Sequence, residues 1–361
     1  MKRTVTCLRF SLTIAVLSLR APDLAPASVP NAPPPFIVQT IDLPDISGHV
    51  VAWNSRHGLS VEADSGRSHV LRTADVVRIT RPDAPKPGAP IGDDRSTPWE
   101  ARTIDGERLL GTIVGGSETD LRFALADGNE LRIPLDTLTR ISATRHEIQQ
   151  PPVDPTTKRR EDEVLLRNGD RAAGIVDLVD QTGVSLQTGR RRRQFDWSVV
   201  AAVSLANPNR PSSKPGIRFR CEALNGCIFH ADQINWKNDS VELHRTAGDL
   251  LSISAAAIAS VQVLGGRWQW LGQLEPERYQ SIPFMDLTWP LMIDRNALGG
   301  ALRCGDRIAS HGIGLHAAAK VAWDLGGRYE RFTTNVCIDD SGGPWSDVHV
   351  EFHLDGRLIK R

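Results

Sequence analysis

The chain repeats itself. Four stretches between residues 49 and 262 carry the same order of turns and apolar positions, and such self-similarity constrains the architecture more than any single residue does. In each, a first strand runs into a turn: Trp53-Asn-Ser-Arg56-His57-Gly58, Thr103-Ile104-Asp105-Gly106, Leu166-Arg167-Asn168-Gly169 and Leu224-Asn225-Gly226. Three of the four contain Asp-Gly or Asn-Gly, the strongest short-range hairpin signal. Five positions after each glycine stands a small residue, Ala63, Gly111, Gly174 or Ala231, where a strand can bend or lie close to another backbone. A second turn follows at Asp64-Ser-Gly66, Asp127-Gly128, Gln187-Thr188-Gly189 and Ala247-Gly248. Each copy then closes with an apolar stretch broken by one helical-looking turn, Leu71 to Ile79, Ile133 to Ile141, Phe195 to Val203 and Ile253 to Val261. About five strands in about 40 to 50 residues is the inventory of a small β-barrel.

The copies are expected at 49–80, 99–142, 163–204 and 217–262. Proline clusters at Pro30 to Pro35, Pro82 to Pro98, Pro151 to Pro155 and Pro208 to Pro215 separate them. Proline fixes φ and removes a ladder donor, so these stretches read as linkers, the first covering 28–48. The repeated pattern resembles the SH3-like and Sm-like repeats of exported bacterial proteins, which implies structural or protein-interaction units. Arg190 to Arg193 fall at the second turn of the third copy. They are either a solvated hairpin tip or a site for phosphate or an acidic glycan.

At the N-terminus Lys2, Arg3 and Arg9 precede an uncharged run, Ser11 to Leu19, and Ala25-Pro26-Ala27 supplies small residues for cleavage. Residues 1–27 therefore read as a secretory signal peptide, too short in its apolar part to span a membrane, and the mature chain is expected to be secreted, periplasmic or held in the cell envelope. No membrane-spanning segment is expected in it. Cleavage removes Cys7 and leaves Cys221, Cys227, Cys304 and Cys337 where disulfides can form. Cys221 and Cys227 flank the turn-forming Glu222-Ala-Leu-Asn225-Gly226, so they are a disulfide candidate across a hairpin, or else two small buried thiols. There is no Cys-x-x-Cys pair to support thiol redox chemistry or a zinc ribbon.

Lys and Arg total 43 and Asp and Glu also 43, which gives no electrostatic reason to expect nucleic acid as a partner. Nucleophile elbows, His-Glu-x-x-His, phosphate loops and dinucleotide fingerprints are absent from the sequence, so no enzyme reading is supported. A glycosidase needs only two carboxylates, which spacing cannot locate.

From about Gly265 the texture changes. Trp268, Trp270, Trp289, Trp323 and Trp345 crowd into the last quarter, and the repeat pattern stops. Trp289-Pro-Leu-Met-Ile-Asp294 leads to Gly312-Ile-Gly314-Leu-His316, then Arg331-Phe332, Ile338-Asp339-Asp340 and Val350-Glu-Phe352-His-Leu354-Asp355-Gly356. This succession resembles the NPCBM family, the novel putative carbohydrate-binding modules, over 266–361. The resemblance implies a jelly-roll β-sandwich of the galactose-binding-like type and recognition of galactose-containing glycans. Cys337 stands where the family usually has glycine, and the sequence stops soon after Asp355-Gly356, where members continue through further strands; the sandwich is therefore expected to be C-terminally incomplete. The fold class is all-β, small barrel repeats followed by this sandwich.

Read by themselves, Val348, Val350, Phe352 and Leu354 alternate with His349, Glu351 and His353, the pattern of one half-buried strand. The three polar residues are either ordinary exposed strand residues or a metal triad. His316, Asp339 and Asp340 sit in or beside glycine-bearing loops and are the polar candidates for a sugar site, with Trp289 and Trp345 as stacking platforms. Each has a structural rival: a histidine pinning its loop, turn carboxylates, core tryptophans. Asp339 and Asp340 are also possible calcium ligands, and no other cofactor is implied. The function expected is non-catalytic glycan binding. The alternative is an envelope protein that binds protein partners through its repeats.

Overall fold

The computed structural model describes residues 34–54, 57–84, 99–144, 161–207, 216–282, 288–305, 307–309, 311–343 and 346–360. The expected signal peptide, most of the proline-rich linkers and Trp345 lie outside the described residues. Regular structure within them is all strand or single-turn 3-10 helix, and the chain divides into two compact units, one ending at Gln269 and one running from Trp270.

The larger unit holds four five-stranded repeats. The first comprises β1 (Pro35–Thr40), β2 (Ile46–Asn54), β3 (Gly58–Ala63), β4 (Ser68–Leu71) and β5 (Val76–Thr80). The second is β6 (Trp99–Thr103), β7 (Arg108–Gly116), β8 (Asp120–Leu125), β9 (Glu130–Pro134) and β10 (Leu138–Ala143). The third is β11 (Asp162–Leu166), β12 (Arg171–Val179), β13 (Gly183–Thr188), β14 (Arg191–Asp196) and β15 (Val200–Ser204). The fourth is β16 (Arg218–Ala223), β17 (Ile228–Lys237), β18 (Ser240–Arg245), β19 (Leu250–Ser254) and β20 (Ile258–Leu264). Alternation of buried and open positions builds these strands, as in β17, where Phe229, Ala231, Ile234 and Trp236 all face the core.

The first repeat begins earlier than 49. β1 lies in the stretch read as linker, with Pro35 at its first residue, a position where a missing donor is tolerated. The Trp53-to-Gly58 turn is consequently the β2–β3 connection, one hairpin later than its apparent counterparts. The small residue equivalent to Gly111 and Gly174 is Gly48, not Ala63. A Cβ on Gly48, Gly111 or Gly174 would lie 2.2, 2.1 or 2.4 Å from a carbonyl oxygen of the neighbouring strand, that of Glu62, Ala124 or Gln187. The clash is with backbone, which cannot swing away. Gly111→Val is therefore expected to destabilise the unit by about 1–3 kcal/mol, and an unchanged denaturation midpoint would disprove the close approach.

Each repeat by itself is an open sheet, and closure takes place between repeats. β5 pairs antiparallel with β20, with Ile79 opposite Val261, and β2 pairs with β17, with Trp53 opposite Trp236. The circuit β2–β1–β5–β20–β16–β17 thus closes into a six-stranded barrel built from the first and last repeats. Its core is reciprocal: Phe36 of the first repeat meets Trp236 of the fourth edge-on at 5.4 Å, and Phe219 of the fourth meets Trp53 of the first at 5.5 Å. The middle repeats join in the same way through β10 and β15, with Ile141 opposite Val203, and Trp99 packs on Trp197. Pairing the last strands satisfies backbone groups that an isolated repeat would leave open.

A buried ion pair crosses from the second repeat to the fourth. Glu107 and Arg245 each have about 1% of the side chain exposed, and both Nε and Nη2 of Arg245 donate to the Glu107 carboxylate. Glu107 Oε1 also accepts the His230 N–H at 2.9 Å. Beside it, Thr246 Oγ1 donates to Asp105 at 2.9 Å.

The Cys221–Cys227 disulfide does not form. In the β16–β17 hairpin Cys221 lies opposite Phe229, whereas Cys227 closes the turn opposite Ala223, whose N–H donates to its carbonyl at 2.9 Å. The two thiols are out of register and Cys227 is turned toward β7, its sulfur 3.3 Å from the Leu110 nitrogen. Both are free and buried, and burial pushes them up to about 12 for Cys221 and about 11 for Cys227. The disulfide is instead Cys304–Cys337, in the second unit.

That unit contains β21 (Arg278–Ser281), β22 (Met292–Ile293), β23 (Leu302–Cys304), β24 (Arg307–Ala309), β25 (Ile313–Gly314), β26 (Ala319–Ala322), β27 (Phe352–Leu354) and β28 (Arg357–Lys360). They form four antiparallel ribbons: β21 with β26, β22 with β25, β23 with β24 and β27 with β28. The strand expected over 348–354 is regular only at Phe352–Leu354, and Val348 and Val350 are exposed. Among the described residues β27 pairs with one strand, β28, reached through Asp355 and Gly356, both at positive φ, and the Phe352 ring lies 6.2 Å from that of Phe332.

Candidate carbohydrate site

The second unit brings the sequence candidates together in two groups. Trp289 and His316 stack face to face, with ring centroids 4.5 Å apart and planes 3° from parallel. The Tyr279 hydroxyl, carried on β21, donates to the Trp289 carbonyl at 2.5 Å and holds the backbone under the indole. His316 follows β25, where Gly314 is buried so closely against Arg295 and Asn296 that a Cβ would stand 2.1 Å from the Arg295 carbonyl oxygen. That approach is why the glycine precedes the histidine: it lets the chain pass its neighbour and turn the imidazole onto the indole. Nδ1 of His316 lies 3.3 Å from the Ala317 carbonyl, and Nε2 makes no hydrogen bond among the described residues.

Asp339 and Asp340 form the other group, and they differ in role. Asp339 caps the 3-10 turn Asp340–Gly342. Its Oδ1 accepts from the Ser341 N–H at 3.0 Å, the Ser341 hydroxyl at 2.5 Å and the Asn296 amide at 3.0 Å, while Oδ2 accepts from the Arg303 N–H at 2.7 Å. Partial burial opposes the charge, but these donors, Ser341 foremost, outweigh it and hold the carboxyl below the usual range. Asp340 is exposed, and its Oδ1 accepts from the Gly305 N–H at 2.8 Å, with no hydrogen bond to its other oxygen among the described residues. Together with Cys304–Cys337, the two carboxylates fasten the β23 ribbon to the 337–342 loop. Asp339 is thus a clamp, and Asp340 retains a free oxygen.

A second aromatic pair was not singled out by sequence reasoning. Trp270 stacks on His311 at 4.9 Å, and His311 Nδ1 lies 3.2 Å from Asp294, whose other oxygen accepts the Gly312 N–H at 3.0 Å. The Asp294 and His311-Gly312 pieces are 17 residues apart in sequence, and the β22–β25 ribbon brings them into contact. Buried Asn296 is another such residue: its amide turns the chain toward Gly300 and reaches Asp339. Trp345 lies outside the described residues.

Among the described residues no three His, Cys, Asp or Glu side chains are grouped so as to hold a metal ion. Of the His349, Glu351 and His353 trio, His353 Nε2 lies 3.2 Å from Glu351, and both side chains are exposed. The Asp339 oxygens that a calcium ion would need are taken by N–H and O–H donors.

These features define a glycine-threaded ribbon module that carries an aromatic pair, Trp289 with His316, and a separate carboxylate group, Asp339 with Asp340. Residues 267–361 match the NPCBM/NEW2 domain, a carbohydrate-binding module of a generally non-catalytic kind. Neither curated proteins nor solved structures gave a match to the chain.

Proposed function

We propose that this is an exported, non-catalytic carbohydrate-binding protein whose 267–361 module recognises galactose-type glycans. The domain match carries the reading. The geometry supports it through three groups: the indole of Trp289, Nε2 of His316 and the free oxygen of Asp340. A hexose needs an aromatic face for its C–H patch and a few placed polar groups for its hydroxyls. His316 covers one face of Trp289, so a sugar would use the other face and its edge. One shallow site of this kind binds at about micromolar to millimolar affinity, roughly −8 to −4 kcal/mol.

The test is calorimetric titration of the full chain with galactose-terminated oligosaccharides. His316→Ala and Asp340→Ala are each expected to cost about 1–3 kcal/mol of binding, through the partner left unpaired; the melting temperature should stay the same in the first and fall slightly in the second, which also gives up the Gly305 N–H bond. Binding unchanged in both variants would remove these residues from the site, and no binding to any glycan would end the reading. Exposed apolar side chains at Val336, Ile338, Leu358 and Ile359 favour the second reading, a protein-interaction module, in that event.

A further inference from the structure

The β13–β14 hairpin of the third repeat carries a charge that the fold does not require. From Gly183 to Asp196 it contains four arginines, Arg190 to Arg193, and a single acidic residue, Asp196 at its far end, whose carboxylate accepts the Ser198 N–H at 2.7 Å. The equivalent hairpins carry more carboxylates than arginines. On β8–β9, Arg122 pairs with Glu130 at 2.6 Å and Arg132 with Asp120 at 2.7 Å, and on β18–β19 Arg245 pairs with Asp249 at 2.7 Å. In the arginine run only Arg192 has a carboxylate partner, Asp177 at 3.0 Å, and no ion pair to Arg190, Arg191 or Arg193 occurs among the described residues.

The run contributes nothing to the core, because Arg191, Arg192, Arg193 and Gln194 are all exposed. Guarding an open edge does not account for it either. β14 pairs only with β13 among the described residues, but β4, β9 and β19 are open edges of the same kind and lack any such run. Four like charges on one hairpin repel one another, a cost that an anionic ligand would relieve.

The geometry points to the binding of an acidic polysaccharide, one carrying a row of carboxylate or sulfate groups, along β14. Alternate residues of a strand project on one face about 7 Å apart, which spaces Arg191 and Arg193 as a ladder, with Arg190 at the tip beside Gly189. Guanidinium suits both anions through paired N–H donors. On the other face Gln187 lies opposite Arg192, with Gln194 next along the strand, and their exposed amides add carbonyl acceptors for hydroxyls. Single-stranded nucleic acid fits less well, since it binds on aromatic platforms. No aromatic residue occurs from Gly183 to Gln194, Phe195 packs against the core, and the Trp197 indole is held by the Asp180 carbonyl.

The site is separate from the 267–361 module, and its ligands are charged rather than neutral, so either reading can fail alone. The experiment titrates the full chain at low and high salt with polygalacturonate, dextran sulfate, neutral dextran and an oligothymidylate. It compares Arg190→Ala/Arg191→Ala/Arg193→Ala with the corresponding triple lysine variant. Expected are salt-sensitive binding to at least one acidic polysaccharide, weakening by about tenfold or more in the alanine variant, largely retained binding in the lysine variant, and unchanged melting temperatures. Absence of binding to both acidic polymers, equal affinity in the alanine variant, or tighter binding to the oligothymidylate overturns the assignment.

Discussion

Replacing Glu107 with alanine is expected to lower the unfolding free energy of the repeat region by about 3 kcal/mol, because the substitution leaves Arg245 charged and buried with only Asp249, itself 35% exposed, as a carboxylate partner. The His230 N–H loses its acceptor at the same time. The loss belongs to the under-compensated buried charge more than to the pair, so removing Glu107 and Arg245 together should be milder. Glu107→Leu combined with Arg245→Met should recover most of the stability, since neither charge then has to be kept from water. Urea unfolding of the wild type, the single variant and the double variant checks this. A single-variant loss below about 1 kcal/mol would mean that Asp249 or water compensates Arg245 in place of Glu107.

The second large effect concerns the carbohydrate module. Cys304→Ser or Cys337→Ser is expected to destabilise it by about 4 kcal/mol, the chain-entropy value for a loop of its size. The bridge spans 33 residues and fastens the segment donating to Asp339 and Asp340 to the loop that carries them. Few side chains of this unit are buried, Asn296 among them, so little apolar burial can compensate for the lost link. On the function proposed above, loss of glycan binding should accompany the loss of structure. Circular dichroism melts and titrations with and without a reductant measure both. A module that melts at the same temperature and binds as well when reduced would show the bridge to be dispensable.

The repeat region shows how far local signals carry. Asp105-Gly106, Asn168-Gly169 and Asn225-Gly226 are read correctly as hairpin turns because the demand for positive φ is local, and each glycine has φ between 84° and 93°. The first repeat misled for the same reason. Its opening turn, Ile41 to Asp45, has no glycine, so the later Trp53-to-Gly58 turn takes its place in any alignment of turn signals. Reading Cys221 and Cys227 as a bridge rested on their flanking a turn. Register decides the matter, and one cysteine closes the hairpin while the other lies further along it.

In the carbohydrate module the motif residues were legible as a set, but their roles were not. Nothing about the sequence distinguishes Asp339 from its neighbour Asp340. The difference arises because Asn296, Arg303 and Ser341 converge on the first and only Gly305 reaches the second. The Trp289–His316 stack likewise joins residues whose separation in sequence says nothing of their contact.

The sequence by itself determined the strand alternation, the turn positions set by glycine and the division into repeats and a tryptophan-rich module, all of which depend on neighbours within a few residues. Only the tertiary structure decided that the first repeat closes a barrel with the fourth, that Glu107 meets Arg245 and that Cys304 meets Cys337. Those pairings join residues far apart along the chain, where which edge is left open, which charge is shielded and which side chains meet are properties of the packed molecule.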